Sequence, residues 1–141
     1  MIVLENEAQH TIIQDAISAY PDECCGFLLG REDENGRRII TQALVVNNAK
    51  EGDKRRRFVI APQDYLQAEK YAEAQDMILL GVYHSHPDHP AVPSEHDRAA
   101  AVPFFSYLII SVNSGQPGFI RSWRLNEDEH FEEENNHLLT Q

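Results

Sequence analysis

The chain has 141 residues, the size of a single domain and enough to bury a substantial core. Its formal net charge of −11, from 12 basic and 23 acidic residues, argues against nonspecific nucleic-acid binding and against an anionic membrane surface. The two cysteines, Cys24 and Cys25, are adjacent and imply no disulfide framework; without a secretion signal or a membrane-length apolar run, the sequence predicts a soluble cytoplasmic protein.

The N-terminal third predicts a helix followed by a strand hairpin. A short edge strand at residues 1–4 precedes a helix over residues 6–20, in which apolar residues recur at spacings of three and four. The apolar run over residues 25–30 predicts a buried strand. Asn35-Gly36 is a strong hairpin signal, so we expect the returning strand at residues 38–46.

The middle of the chain is first polar and then amphipathic. Residues 47–57 form a loop with the only basic cluster of the sequence, which is either a solvated loop or a docking surface for an acidic partner. A short third strand is predicted at residues 58–60, followed by an amphipathic helix at residues 62–76. Residues 77–86 are apolar almost throughout, which predicts a strand at the centre of the sheet.

The C-terminal part predicts one more strand pair and an acidic tail. The segments 107–112 and 118–125 should pair across a turn at residues 113–117. Residues 126–141 hold six acidic residues and no Lys or Arg, so this tail has little to bury and is expected to be mobile. The pattern predicts one α/β domain at residues 1–125, with helices packed around a single mixed sheet.

The stretch YHSHPDHPAVPSEHD, residues 83–97, contains four of the seven histidines. His84 and His86 lie two apart on a predicted strand, so both imidazoles can point to one spot. Ser94 and Asp97 lie three apart at the start of a predicted helix and are therefore close to each other. Two imidazoles, a carboxylate and a hydroxyl thus gather where a strand ends and a helix begins, which resembles a catalytic zinc site with three protein ligands and a water.

Other interpretations of these residues stay open at this point. Ser94-x-x-Asp97 is also a capping box for the helix predicted at residues 95–102, and a cap can orient a site at the same time. Asp97 is the preferred carboxylate ligand, and at 3.6 residues per turn the neighbouring His96 should point about 100° away from it. Three residues remain ligand candidates by type, with a surface or supporting role expected for each: Asp88, His89 and His96.

With these residues in view, the sequence resembles the JAMM (MPN+) metallopeptidase family, in its short bacterial form. The family signature is a distant Glu, then His-Ser/Thr-His-Pro and, after seven residues counted from the second His, Ser-x-x-Asp; it corresponds here to residues 84–87 and 94–97. Residues 21–26, PDECCG, resemble the early Pro-x-Glu-x-Cys-Gly segment of the bacterial members. The resemblance covers roughly residues 8–125 and implies a cytidine-deaminase-like MPN fold, a mixed β-sheet flanked by helices.

The resemblance also implies a role for each matching residue. His84, His86 and Asp97 would be zinc ligands, with water as the fourth. Glu23 would be the general base, and Ser94 would help to hold the oxyanion of the tetrahedral intermediate. Residue types alone would not select Glu23, which is one acid among many. The activity implied is an isopeptidase or peptidase acting at the Gly-Gly C-terminus of a ubiquitin-like or sulfur-carrier protein.

Two other functions are compatible with the sequence. Cys24 or Cys25 could serve a cysteine hydrolase together with a histidine, although free cysteines are more often small buried hydrophobes. The protein could instead be a non-enzymatic binding or scaffold module with a structural metal. A structural zinc is usually closed by four protein ligands, whereas the signature residues supply three.

Overall fold

One mixed sheet of eight strands organises the computed structural model, which describes residues 1–138 of the chain. The strands are β1 (Ile2–Leu4), β2 (Cys25–Glu32), β3 (Arg38–Val46), β4 (Ile78–Pro87), β5 (Ser106–Asn113), β6 (Gln116–Leu125), β7 (Phe131–Glu134) and β8 (Asn136–Leu138). The helices are α1 (Asn6–Ala19), α2 (Pro62–Ala74) and α3 (Glu95–Ala99). The strand order is β7-β6-β5-β4-β2-β3-β1-β8, so the predicted central position of β4 is confirmed.

Side chains alternate along the central strands and are divided between the two faces of the sheet. Leu28 of β2 and Tyr83 of β4 belong to an apolar cluster that packs against α1. Phe27 and Val82, their sequence neighbours, belong to a second cluster with Ala68 of α2. Each of the two longer helices therefore covers one face, and the predicted α/β architecture is confirmed.

The helices begin in different ways. Neither Glu5 before α1 nor Ala61 before α2 forms a side-chain cap, although α2 starts with Pro62, whose fixed φ suits a first helical turn. The short helix α3 instead begins with a complete capping box and ends at Ala99, three residues earlier than predicted. Within residues 1–138, none of the helices is both long and apolar enough to cross a membrane.

Tight turns with positive φ angles close two hairpins. Gly36 has a φ of 77° in the connection between β2 and β3, which agrees with the predicted Asn-Gly turn. Between β5 and β6 the turn consists of Ser114 and Gly115, with φ angles of 51° and 82°. Two consecutive residues at positive φ are the requirement of a type I′ turn, whose twist matches that of the paired strands.

A bulge in β4 exposes a backbone carbonyl that a buried arginine satisfies. The residues on either side of Leu80 pair with β2, and Leu80 is the extra residue between them. Arg38, which is 3% exposed, donates through Nη1 to the Leu80 carbonyl at 3.1 Å and to Oγ of Ser106 at 3.2 Å. Its Cζ lies 4.6 Å from the ring centroid of Phe104. We call these four residues the Arg38 cluster.

The third strand predicted at residues 58–60 is wrong. This segment belongs to none of the strands in the described part of the chain. The amide of Val59 donates to Oδ1 of Asn48 at 3.0 Å, and the Val59 carbonyl accepts from the Ala49 amide at 2.8 Å. One of these two bonds goes to a side chain, so the segment is held by the preceding loop instead of by a strand ladder.

The acidic C-terminal region also differs from expectation. β7 pairs with β6, and β8 pairs with β1, so residues 131–134 and 136–138 extend the two edges of the sheet. The acidic side chains find partners on β6: Arg121 Nη2 lies 2.7 Å from Glu133 Oε1. These strands therefore belong to the sheet, and the expected mobility of the tail stays a prediction. Residues 139–141 lie outside the described residues, and the domain boundary at residue 125 stays a prediction.

Candidate metal centre

The end of β4 and the start of α3 bring three candidate ligands together. His84 and His86 lie two apart on β4 and share one face, while Asp97 is the third residue of α3. Nε2 of His84 lies 3.1 Å from Nε2 of His86. Oδ2 of Asp97 lies 3.4 Å from the first nitrogen and 3.3 Å from the second. These three residues form a group that could hold a metal ion, and we call it the ligand triangle.

The donor set and spacing of the ligand triangle fit a metal ion. Nδ1 of His86 lies 2.8 Å from the Pro90 carbonyl, which can only accept, so Nδ1 is the donor and Nε2 directs a lone pair into the triangle. A tetrahedral zinc ion with bonds of about 2.0–2.1 Å places its ligand atoms about 3.3 Å apart. The three observed separations agree with that spacing.

The environment of His84 favours a neutral imidazole beside an ionised carboxylate, whereas burial lowers the pKa of His86 less than its contacts with Asp97 and the Pro90 carbonyl raise it. His84 is fully buried, and its ring stacks on Phe58 with centroids 4.5 Å apart. Burial lowers the pKa of His84 and outweighs the opposing effect of Asp97. Burial also acts against ionisation of Asp97, but the two imidazoles and the Ser94 amide beside it hold its pKa well below the usual range. Neutral imidazole and ionised carboxylate are the forms that bind metals.

Strand pairing places Glu23 beside the ligand triangle. Cys25 of β2 is the register partner of His84, so the antiparallel continuation brings residue 23 to the level of the second histidine. Ser85, which lies between the two histidines, holds the segment before β2 in this register through two hydrogen bonds to Cys24. Its Oγ accepts from the Cys24 amide at 2.8 Å, and its own amide donates to the Cys24 carbonyl at 3.2 Å. The sequence analysis missed Ser85; its position between two candidate ligands was the available signal.

Glu23 is buried and held at its backbone on both sides. Its amide donates to the Lys54 carbonyl at 2.7 Å, and its carbonyl accepts from Nδ2 of Asn48 at 3.2 Å. The residue is only 5% exposed. Burial raises the pKa of Glu23 to about 8, with a smaller lowering effect from His86 and a raising effect from Asp97. A group in this state can exchange a proton near neutral pH.

Ser94 caps α3 and orients Asp97 at the same time. Its Oγ accepts from the Asp97 amide at 3.0 Å, and its amide donates to Oδ2 of Asp97 at 2.9 Å. This is the predicted capping box, and its carboxylate oxygen is the one that faces the two imidazoles. Because Oγ accepts from the helix, the hydroxyl hydrogen of this exposed serine remains available to another acceptor.

The remaining ligand candidates lie outside the ligand triangle. Asp88 is bound elsewhere: it accepts from the Tyr20 hydroxyl at 2.7 Å and from the Ser114 amide at 2.8 Å. Within the described residues, the group that could hold a metal includes neither His89 nor His96. The geometry groups Asp97, and none of these three residues, with the two histidines, and the role of Asp97 as a ligand stays a prediction.

The two cysteines lie near the site but are poor nucleophiles. Both side chains are buried. Burial raises the pKa of Cys24 far above its ordinary value and that of Cys25 to about 12, so neither thiol ionises near neutral pH. Since the thiolate is the reactive form, this environment argues against the cysteine-hydrolase hypothesis.

A mixed sheet covered by helices on both faces, with the ligand triangle where a strand meets a short helix, is the arrangement of a JAB/MPN domain. The sequence matches the family described as prokaryotic homologs of the JAB domain over residues 5–126, and the chain belongs to that family. The resemblance to the JAMM/MPN family is thereby confirmed.

Two curated relatives are desampylases. The protein from Haloferax volcanii is 35% identical over 92 residues, which is 64% of this chain and 63% of that protein. The protein from Pyrococcus furiosus is 26% identical over 115 residues, which is 82% of this chain and 75% of that protein. The match thus spans less than two thirds of the Haloferax protein.

Solved structures share the same fold. The solution structure of a protein from Desulfitobacterium hafniense has a TM-score of 0.86 and 32% identity, covering 100% of this chain and 94% of that one. The crystal structure of a JAB1/MPN domain protein from Archaeoglobus fulgidus has a TM-score of 0.62 and 20% identity, with coverages of 97% and 98%. The implied MPN fold, a mixed sheet flanked by helices, is therefore confirmed.

Proposed function

We propose that the protein is a zinc-dependent hydrolase that cleaves an amide, in an isopeptide or peptide bond, at the C-terminus of a ubiquitin-like or sulfur-carrier protein. The observation that carries the proposal is the ligand triangle, whose three ligand atoms lie within 3.4 Å of one another beside the buried Glu23. Similarity to two desampylases supports a substrate of the ubiquitin-like class.

In this proposal, the ligand triangle binds zinc with two ligands already oriented. The Pro90 carbonyl fixes the ring of His86, and the Ser94 amide fixes the carboxylate of Asp97. Such outer contacts set ligand direction and basicity. Zinc bound there would supply a Lewis acid and lower the pKa of a bound water to about 7.

Glu23 would be the general base. Its carboxylate would take a proton from the attacking water and return it to the nitrogen of the leaving amine. Burial favours this exchange, because it raises the pKa of Glu23 to about 8, near the pH at which the proton must be both accepted and released. The two backbone bonds to Lys54 and Asn48 hold the residue in place.

Ser94 would stabilise negative charge on the carbonyl oxygen of the scissile amide. Its Oγ accepts from the helix and keeps its hydrogen free to donate toward that oxygen. A donor fixed before the reaction begins stabilises the transition state more than one that must reorient.

The substitution Glu23→Gln tests the proposed role of the carboxylate. Glutamine has nearly the same shape but cannot accept the proton, so we expect hydrolysis to fall by about 10²–10⁴-fold. Zinc content, measured by plasma mass spectrometry, should stay near that of the wild type. The assay follows cleavage of a sulfur-carrier protein extended beyond its C-terminal Gly-Gly.

Glu69→Gln, an exposed glutamate on α2, is the matched control and should hydrolyse at the wild-type rate. Full activity in Glu23→Gln would refute the mechanism.

A further inference from the structure

An apolar cavity of about 220 Å³ adjoins the ligand triangle. His84 and Asp97 belong both to the triangle and to the wall of this cavity. Phe58, which stacks on His84, forms another part of the wall. The cavity is therefore continuous with the place where the scissile amide would lie.

The inner end of the cavity is closed by the core of the protein. Val82 and Tyr107 line it and are buried. The Tyr107 hydroxyl accepts from the Val102 amide at 2.6 Å, so its polar atom is already bonded and its ring presents an apolar surface. A group that enters from the ligand triangle therefore meets the buried Val82 and Tyr107 at the far end of the cavity.

The surface on the Glu23 side of the site is different. Glu23 lies with Asn48 and Lys54 in a separate cleft of about 390 Å³, whose lining is more polar than that of the cavity. The two sides of the candidate site thus suit different parts of a substrate, a polar backbone on one side and an apolar side chain on the other.

We propose that the apolar cavity binds the side chain of the residue that supplies the amine of the scissile bond, and that this side chain is branched aliphatic or aromatic. This inference rests on the proposed function. The C-terminal glycine of a ubiquitin-like protein has no side chain to fill a cavity, so the cavity serves the other side of the bond.

The shape of the cavity selects among possible amines. The lysine of an isopeptide bond continues from its methylene stem into a second folded protein, for which a cavity of about 220 Å³ that ends at Val82 and Tyr107 has no room. An apolar residue joined through its α-amine ends within the cavity. A cavity of about 150 Å³ with apolar walls can hold benzene, so 220 Å³ accommodates the side chain of Leu or Phe.

The test compares sulfur-carrier proteins extended by one residue after Gly-Gly. We expect kcat/KM for a Leu or Phe extension to exceed that for Ala or Asp by at least about tenfold, since a methylene in an apolar pocket contributes roughly 10–200-fold. A carrier joined to the ε-amine of lysine should be cleaved more slowly than the Leu extension. Equal rates for Leu, Ala and Asp, or faster cleavage of the lysine conjugate, would overturn the inference.

A pair of variants at the C-terminal end of α3 shows whether the cavity is responsible for the preference. Ala100 is exposed and lines the cavity, so Ala100→Phe should fill it and reduce kcat/KM for the Leu extension by at least about tenfold. Ala99→Phe adds the same group one residue earlier, outside the cavity wall, and should keep the wild-type preference. An unchanged preference in Ala100→Phe would contradict the assignment.

A binding measurement separates failure of this inference from failure of the proposed function. Leucinamide is titrated into isotope-labelled Glu23→Gln protein, and amide shifts are followed by NMR. We expect shifts at Phe58, Val82 and Ala100 that are lost in the Ala100→Phe protein. If no extended carrier is cleaved, the proposed hydrolysis fails, and this titration decides the cavity: localised shifts support an apolar ligand, and their absence refutes it.

Discussion

The Arg38 cluster and the ligand triangle are two buried polar groups along the same strand, and they are satisfied in opposite ways. Near the start of β4, Arg38 donates to a carbonyl and a hydroxyl and lies over a ring. Near the end of β4, two imidazoles and a carboxylate face one another within 3.4 Å. In the first arrangement each donor has an acceptor, so the hydrogen bonds are satisfied within the fold. In the second arrangement lone pairs converge on one point, which is the arrangement that binds a cation.

The largest expected effect follows from removing the charge of the ligand triangle. Asp97→Asn keeps an oxygen that can accept from the Ser94 amide but replaces the carboxylate by a neutral amide. We expect zinc affinity to fall by more than about 100-fold, beyond the effect of changing a group that only orients a ligand. Competition with a chromophoric chelator measures the affinity.

Glu95→Gln, an exposed substitution on the same helix, should leave zinc affinity unchanged. If Asp97→Asn bound zinc as tightly as the wild type, the ligand triangle would not be the metal site.

The second effect is stabilisation of the whole fold by zinc. At a free zinc concentration of 100 times Kd, binding to the native state alone contributes about 2.7 kcal/mol. For a chain of this size, that corresponds to a rise of about 5–10 °C in the thermal unfolding midpoint. Calorimetry with zinc and then with excess chelator measures the change, and His84→Ala should show none. A rise of equal size in His84→Ala would place the bound zinc elsewhere.

A substitution in the Arg38 cluster should lower the stability of the fold but leave its response to zinc unchanged. Arg38→Met removes the donor that serves the Leu80 carbonyl and Ser106, so we expect the free energy of unfolding to fall by about 2–3 kcal/mol. The zinc-induced rise of the midpoint should remain, because the two groups lie toward opposite ends of β4. Urea denaturation gives the first quantity and calorimetry the second.

Arg31→Met changes an exposed arginine at the end of β2 and should cost within about 0.5 kcal/mol. Loss of the zinc response in Arg38→Met would show that the two groups are not independent.

These two groups also differ in how far the sequence predicts them. The ligand triangle falls within one short stretch, where strand and helix periodicity fix the direction of each side chain, so local patterns were enough. Glu23 was identified only through family resemblance. The pairing of β2 with β4 brings it to the site, and local sequence patterns do not predict which strands pair. The Arg38 cluster was not predicted, since it depends on a bulge that places an extra residue at Leu80.

The errors in predicted secondary structure also arise from contacts that local sequence patterns do not show. Residues 58–60 have the composition of a strand, but the side chain of Asn48 and the backbone of Ala49 take the hydrogen bonds that a neighbouring strand would supply. The acidic region forms β7 because β6 offers Arg121 and Ser122 to its glutamates. In both cases the outcome depends on hydrogen-bond partners in a neighbouring segment, which helix and strand periodicity do not reveal.

The smallest effect concerns a single hydrogen bond inside the Arg38 cluster. Ser106→Ala removes one acceptor of the guanidinium, while the Leu80 carbonyl and the Phe104 ring keep their contacts with Arg38. We expect a loss of about 1 kcal/mol in the free energy of unfolding, measured by urea denaturation. Because both substitutions remove the same bond, Arg38→Met and Ser106→Ala together should cost less than the sum of the single changes, by about 0.5–1 kcal/mol. Strict additivity would mean that the Ser106 bond contributes nothing to the cluster, and that the other contacts of Arg38, with the Leu80 carbonyl, the Phe104 ring and Glu32, hold the arginine.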